Sequence, residues 1–133
     1  MTEGRTLRCK HLENGLVLEF HDQSNRYYGD FHKVRVEIRT RLLLQIELFS
    51  AEADPLAALQ RARKLFGAEL VESRFLERMG VAGAEVEEVR EAMIDSFLQS
   101  GLGYLQRPDY PRLLLHKRLA GHRQGPFPRL VPR

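Results

Sequence analysis

The chain has 133 residues, of which 29% are charged and 43% hydrophobic, with a net charge of +3 and a single cysteine. That is one domain with enough apolar material for a core. One cysteine excludes an internal disulfide framework, no apolar run reaches the roughly 18 residues of a spanning helix, and the stretch before Gly15 has no signal-peptide core. A cytoplasmic protein is the expectation. The charge is unevenly spread. Residues 1–105 hold 14 Lys+Arg against 17 Asp+Glu, a net of −3, and residues 106–133 hold 7 against 1, a net of +6. The body is mildly acidic and the end basic.

Residues 6–12 and 16–22 flank Glu13, Asn14 and Gly15. Asn-Gly favours a two-residue type I′ turn, because both central residues need positive φ. With Asn14 and Gly15 as that turn, Leu12 opposes Val17, Lys10 opposes Glu19 and Arg8 opposes His21, while Cys9 opposes Phe20 and faces inward. Residues 23–31 read as a loop, with Ser24, Asn25, Gly29 and Asp30 as turn formers.

From His32 the chain alternates. Val34, Val36, Ile38, Leu42, Leu44, Ile46 and Leu48 share one phase, and Arg35, Glu37, Arg39, Arg41, Gln45 and Glu47 the other, the period of a half-buried strand. A strand over 33–49 is long. Placing Phe20 opposite Val34 puts Lys10, Glu19 and Arg35 in one row. Around Leu42, Leu43, Leu44 and Phe49 both faces turn apolar, which predicts cover on both sides by a helix or by a second subunit.

Asp54 and Pro55 start a helix over 55–66, as N-cap and first helical residue. Residues 69–79 fit two periods: Val71, Ser73 and Phe75 alternate, and Val71, Phe75 and Met79 also fit a helix. A strand is preferred, since a strand–helix–strand unit lets helix 55–66 cover the sheet. Residues 84–105 read as the longest helix, with Glu85, Glu87, Glu88 and Glu91 at its start. Val86, Val89, Met93, Phe97 and Tyr104 form one stripe, widened by Ile94, Leu98, Leu102 and Leu105. Pro108 and Pro111 end it. Residues 108–133 read as a basic extension, ordered in part over 112–119, with a tail beyond Gly121.

Three groups of residues carry possible chemistry. His21, Asp22, Asp30 and His32 sit at the ends of the 23–31 loop, and imidazole and carboxylate are metal ligands and acid–base groups. Arg35, Arg39 and Arg41 on a strand face, with Arg112, Lys117, Arg118, Arg123, Arg129 and Arg133 and the rings of Tyr27, Tyr28 and Phe31, are material for a nucleic acid or another polyanion. Glu19, Glu37 and Glu47 interrupt that stripe. Cys9 and His11 are two apart on a strand, with roots roughly 6–7 Å apart, a poor dyad. No P-loop, no G-x-G-x-x-G after a strand, no G-x-S-x-G and no C-x-x-C occurs.

The sequence therefore predicts an α+β fold: an antiparallel sheet of three to four strands in the order β-β-β-α-β-α, with two helices on one face. It predicts one domain over 1–107 followed by the basic extension. The expected function is protein interaction by self-association through Leu42, Leu43, Leu44 and Phe49, without a cofactor and without a catalytic signature. The alternatives are a polyanion surface and a metal site in the 21–32 loop.

Overall fold

In the computed structural model, which describes residues 5–123, the alternating stretch is the spine of the molecule. The fold is α+β, with five strands in one antiparallel sheet and three helices. The strands are β1 (Arg5–His11), β2 (Leu16–Asp22), β3 (Asn25–Tyr28), β4 (Phe31–Leu43) and β5 (Glu69–Ala82). The helices are α1 (Pro55–Phe66), α2 (Val86–Leu105) and α3 (Tyr110–Arg123). β2 and β3 lie end to end along one side of β4, and β5 runs along its other side from Phe31 to Leu43. Among the described residues β1, β3 and β5 each pair with a strand on one side only.

The even positions of β4 face the helices. Val34, Val36, Ile38 and Leu42 are buried there, beside Leu16, Leu18 and Phe20 of β2. α2 covers one half of this face, setting Ile94 and Leu105 on Phe20 and Ile38, and Phe97 meets Phe20 edge to face at 6.0 Å. α1 and α3 cover the other half, with Leu59, Ala62, Leu114 and Leu115 around Leu16, Leu42 and Leu70. α1 starts as its sequence dictates: Pro55 needs no N–H partner, and the Asp54 carboxylate accepts from the Ala57 N–H. The buried line of α2 is Arg90, Ile94 and Leu105, flanked by Phe97, Leu98 and Leu102, while Tyr104 points to solvent.

The first hairpin departs from its expected register. The Leu12 N–H donates to the Leu16 carbonyl at 2.9 Å, the Gly15 N–H donates to Leu12 at 3.1 Å, and Gly15 takes a φ of 96°. This is a three-residue connection closed by a glycine bulge, not a two-residue turn. One extra residue in the loop turns every β1 side chain over. Cys9 therefore pairs with Glu19 on the solvent face, and Lys10 pairs with Leu18. A bulge at Leu7 then restores an apolar contact with the α2 half of the core, and Arg8 reaches Glu91 and Asp95 on α2 at 2.7 and 2.8 Å. Asn14 selects the longer loop. Its amide donates to the carbonyls of Leu105 and Arg107 at 2.9 and 2.8 Å, closing the C-terminal end of α2, and its oxygen accepts from the Leu16 N–H. Asn14→Ala is expected to lower stability by about 1–2 kcal/mol in urea unfolding, because the Leu105 carbonyl at the helix end loses its side-chain donor and the Arg107 carbonyl keeps only the Tyr110 N–H. Asn14→Asp, which keeps only the acceptor, should lose at least as much.

Four other expectations are corrected. Phe20 pairs with Ile38 rather than Val34, and Glu19 with Arg39, so no Lys10–Glu19–Arg35 row forms. Half of the 23–31 loop is strand β3. β4 stops at Leu43, and Ile46–Phe49 forms a 3₁₀ turn. Leu44 and Phe49 are apolar because this turn folds back into the core. Pro111 does not end a helix but sits in the first turn of α3, where a missing N–H costs nothing. The tail from residue 124 onward, with Arg129 and Arg133, falls outside the described residues.

Candidate interaction surface

β5 is 14 residues long and hydrogen-bonds to a strand on one side only. Two contacts fix which of its backbone groups point where. The Ala68 carbonyl accepts from Leu44 at the end of β4, and the Val71 carbonyl accepts from the Arg118 guanidinium on α3 at 3.1 Å. Even residues therefore face β4 and odd ones face outward. Between Val71 and the bulge at Gly80 (φ 72°), the outward N–H and C=O groups are those of Ser73, Phe75 and Glu77. Among the described residues no loop or side chain reaches them.

The polarity of this strand is inverted. Its helix-side phase carries Glu72, Arg74 and Arg78 beside only Leu70 and Leu76. Its solvent phase carries Val71, Phe75 and Met79, which are 36%, 46% and 56% exposed. A strand with one solvated face ordinarily reads the other way. On the helix side, an open groove of about 660 Å³ separates β5 from α2. Its helical wall is low because Ala92, Ser96 and Ser100, one turn apart, have small side chains.

Among the described residues the outer face of the sheet carries no helix, and it is closed by its own charges. Glu37 is only 8% exposed, at the centre of β4. Arg39 donates to it at 3.1 Å, Ser73 at 2.8 Å and Gln23 at 3.0 Å. These hydrogen bonds, led by that of Arg39, hold the Glu37 carboxyl at about 2, well below the usual carboxylate range, against the opposing effect of burial. Glu19 accepts from His21 at 3.0 Å and forms an ion pair with Arg41 at 3.1 Å, and both contacts, His21 first, lower its pKa. Thr6 lies 3.2 Å from the other nitrogen of His21. Arg41 also pairs with Glu69, and Arg35 with Glu77 at 3.3 Å while lying over the Phe75 ring.

The arginines expected to hold a polyanion are thus each matched by a carboxylate of the same face. Arg118 sits elsewhere, between the Val71 carbonyl, Glu72 and the Phe66 ring. Lys117 is exposed on α3, and Arg123 lies in the last turn of that helix. Tyr27, Tyr28 and Phe31 are exposed around the turn from β3 to β4.

The four residues considered for a metal divide among three places, with Asp30 and His32 alone side by side. His21 binds Glu19 on the outer face, whereas Asp22 faces the helices and pairs with buried Arg90 at 3.2 Å. Asp30 accepts from the Gly83 N–H and lies 3.9 Å from His32. Among the described residues no group of three or more His, Cys, Asp or Glu is placed to hold a metal. Leu42, Leu44 and Phe49 are within the chain's own core, and Leu43 is half exposed opposite Glu69. Cys9, expected inward, is exposed, and its sulfur lies 3.8 Å from His11 Nε2, closer than their backbone separation implies.

No protein-family model, no curated protein and no solved structure matches this chain. Among the described residues no helix is long and apolar enough to cross a membrane. The β5 edge went unnoticed in the sequence because an edge is a property of strand order. The signal that points to it is local, however: Val71, Phe75 and Met79 share a phase opposite to Glu72, Arg74 and Arg78.

Proposed function

We propose that this protein works by binding another polypeptide, which adds a strand to the open side of β5. The observation that carries the reading is the run of unpartnered backbone groups at Ser73, Phe75 and Glu77, next to apolar side chains turned to solvent and a groove on the helix side. Long edges of this kind invite pairing, and proteins that do not use them block them with proline, inward charges or a covering loop. Here, among the described residues, Arg118 and the Gly80 bulge close the two ends, and the inward charges Glu72, Arg74 and Arg78 leave the backbone between them uncovered. Added main-chain bonds would supply affinity, and the groove beside α2 would select side chains. An exposed free thiol suits a reducing compartment, and we place this work in the cytoplasm.

Phe75→Pro tests the reading. It deletes the central outward N–H, and proline is tolerated on an edge strand because no ladder bond to β4 is lost. Random extended peptides displayed on phage are panned on the chain, immobilised too sparsely for neighbours to meet. Binders are expected, with retention falling at least ~10-fold on a folded Phe75→Pro chain, the equivalent of about 1.4 kcal/mol. An absence of binders, or binders indifferent to the substitution, would overturn it.

A further inference from the structure

We infer that the strand added to β5 is the β5 of a second copy, paired antiparallel about a two-fold axis at Phe75. This rests on the strand-addition reading above and names its partner. The free segment has a definite centre. Arg118 occupies the Val71 carbonyl at one end and the Gly80 bulge ends regular pairing at the other, leaving Ser73, Phe75 and Glu77. These three positions are symmetric about Phe75. In an antiparallel pair centred there, Phe75 faces its own copy and Ser73 faces the partner's Glu77. Each outward N–H and C=O then meets a group of the opposite kind.

The side chains agree with that register. Residues directly opposite one another share a face of the sheet. On the helix side, Glu72 falls opposite the partner's Arg78, and Arg78 opposite the partner's Glu72, two opposite-charge pairs related by the axis. Arg74 meets the partner's Leu76 beside the groove along α2. On the outer face, Val71 falls opposite the partner's Met79, so the exposed apolar residues cover one another around the two Phe75 rings. The inverted polarity of β5 thereby becomes ordinary: charge pairs on the groove side, an apolar cluster on the other.

Neighbouring registers lack this agreement. A centre at Ser73 sets Glu69 opposite the partner's Glu77 and needs the Val71 backbone that Arg118 holds. A centre at Glu77 sets two glutamates against each other on the axis. Centres at Arg74 and at Leu76 also set outward backbone groups opposite one another, but the first places the two Arg74 side chains against each other and the second places Arg74 opposite the partner's Arg78. A closed two-fold pair also leaves no free β5 edge for further addition, so the assembly stops at two.

The experiment is light scattering on size exclusion, from low micromolar to several hundred micromolar, with amide exchange on the same samples. The parent chain is expected to dimerise, with the Ser73, Phe75 and Glu77 amides gaining protection as it does. Glu72→Arg sets arginine against arginine at both pairs, and Arg78→Glu sets glutamate against glutamate. Each variant alone is expected to associate ~10-fold or more weakly than the parent, and an equimolar mixture of the two to recover the parent's affinity within about threefold. Only the cross-pairing of residues 72 and 78 produces that recovery. A parent that stays monomeric while its peptide binding still depends on Phe75 overturns the second copy as partner and leaves strand addition standing. A dimer indifferent to Phe75→Pro, with these amides unprotected, overturns the second copy as partner, and overturns strand addition too where peptide binding is equally indifferent to Phe75→Pro. A mixture no tighter than either variant alone overturns the pairing about Phe75.

Discussion

Leu115→Ala is expected to destabilise the protein by about 3–4 kcal/mol, in the middle of the range for a fully buried leucine. Leu115 is inaccessible to solvent, in the half of the core built by Leu16, Leu42, Leu44 and Phe49 with α1. The cluster around it draws on three strands, a 3₁₀ turn and α1, so the site has little freedom to close over a cavity. Urea unfolding followed by circular dichroism checks the size, with Lys117→Ala, on the exposed side of the same helix, expected to change stability by less than about 0.5 kcal/mol. A loss below about 1 kcal/mol for Leu115→Ala would mean that α3 is not a working part of the core. The comparison bears on the basic C-terminal charge: it belongs in part to the wet side of a structural helix, whose dry side fills the domain.

The second large effect is a pH dependence centred on Glu37. Its folded carboxyl titrates at about 2, against 4.5 for the free group. A group whose folded pKa is depressed binds more protons in the unfolded chain, so stability rises with pH through the window between the two values. The contribution is complete above about pH 5.5 and is lost as pH falls towards about 2. Its size is about 2–3 kcal/mol, below the full conversion of the shift because one side of the network is open to water. Glu37→Gln keeps the shape and removes the charge. It should therefore be about 2 kcal/mol less stable than the parent at neutral pH, with the gap closing as the pH is lowered towards 2. Glu19, also depressed, loses its contribution in the same direction in both proteins. A gap that stays constant from neutral to acid pH would show that Arg39, Ser73 and Gln23 do not favour the ionised form.

The parts of the fold legible in the sequence are those decided locally. Asp54 and Pro55 started α1, four glutamates marked the approach to α2, and the alternation of β4 named its core residues as far as Leu42. The errors arose where a distant contact chose between local options. Asn14 and Gly15 suit two kinds of hairpin, and the carbonyls of Leu105 and Arg107 decide between them. That choice turned Cys9 from the core face to the solvent face. The apolar residues after Leu43 continued the phase of a strand but belong to a turn that enters the core. Pro111 read as a stop because a proline within one turn of a helix start and one beyond a helix end look alike. For the proposed site, the residues were visible and their meaning was not. Val71, Phe75 and Met79 satisfied two periods, and only the strand order puts them on an open rim.

The Asn14 contact also bears on the order of events in folding. Asn14 and Leu105 are 91 positions apart, and Arg8 and Asp95 are 87. During synthesis the first hairpin leaves the ribosome well before α2 exists, with a turn sequence that by itself favours the shorter loop and the opposite register. The contacts that correct it arrive last, after a long loop has been closed. The hairpin made first is thus among the last pieces to be settled, and until then the nascent chain presents Cys9 and Phe20 on one side of a provisional ribbon.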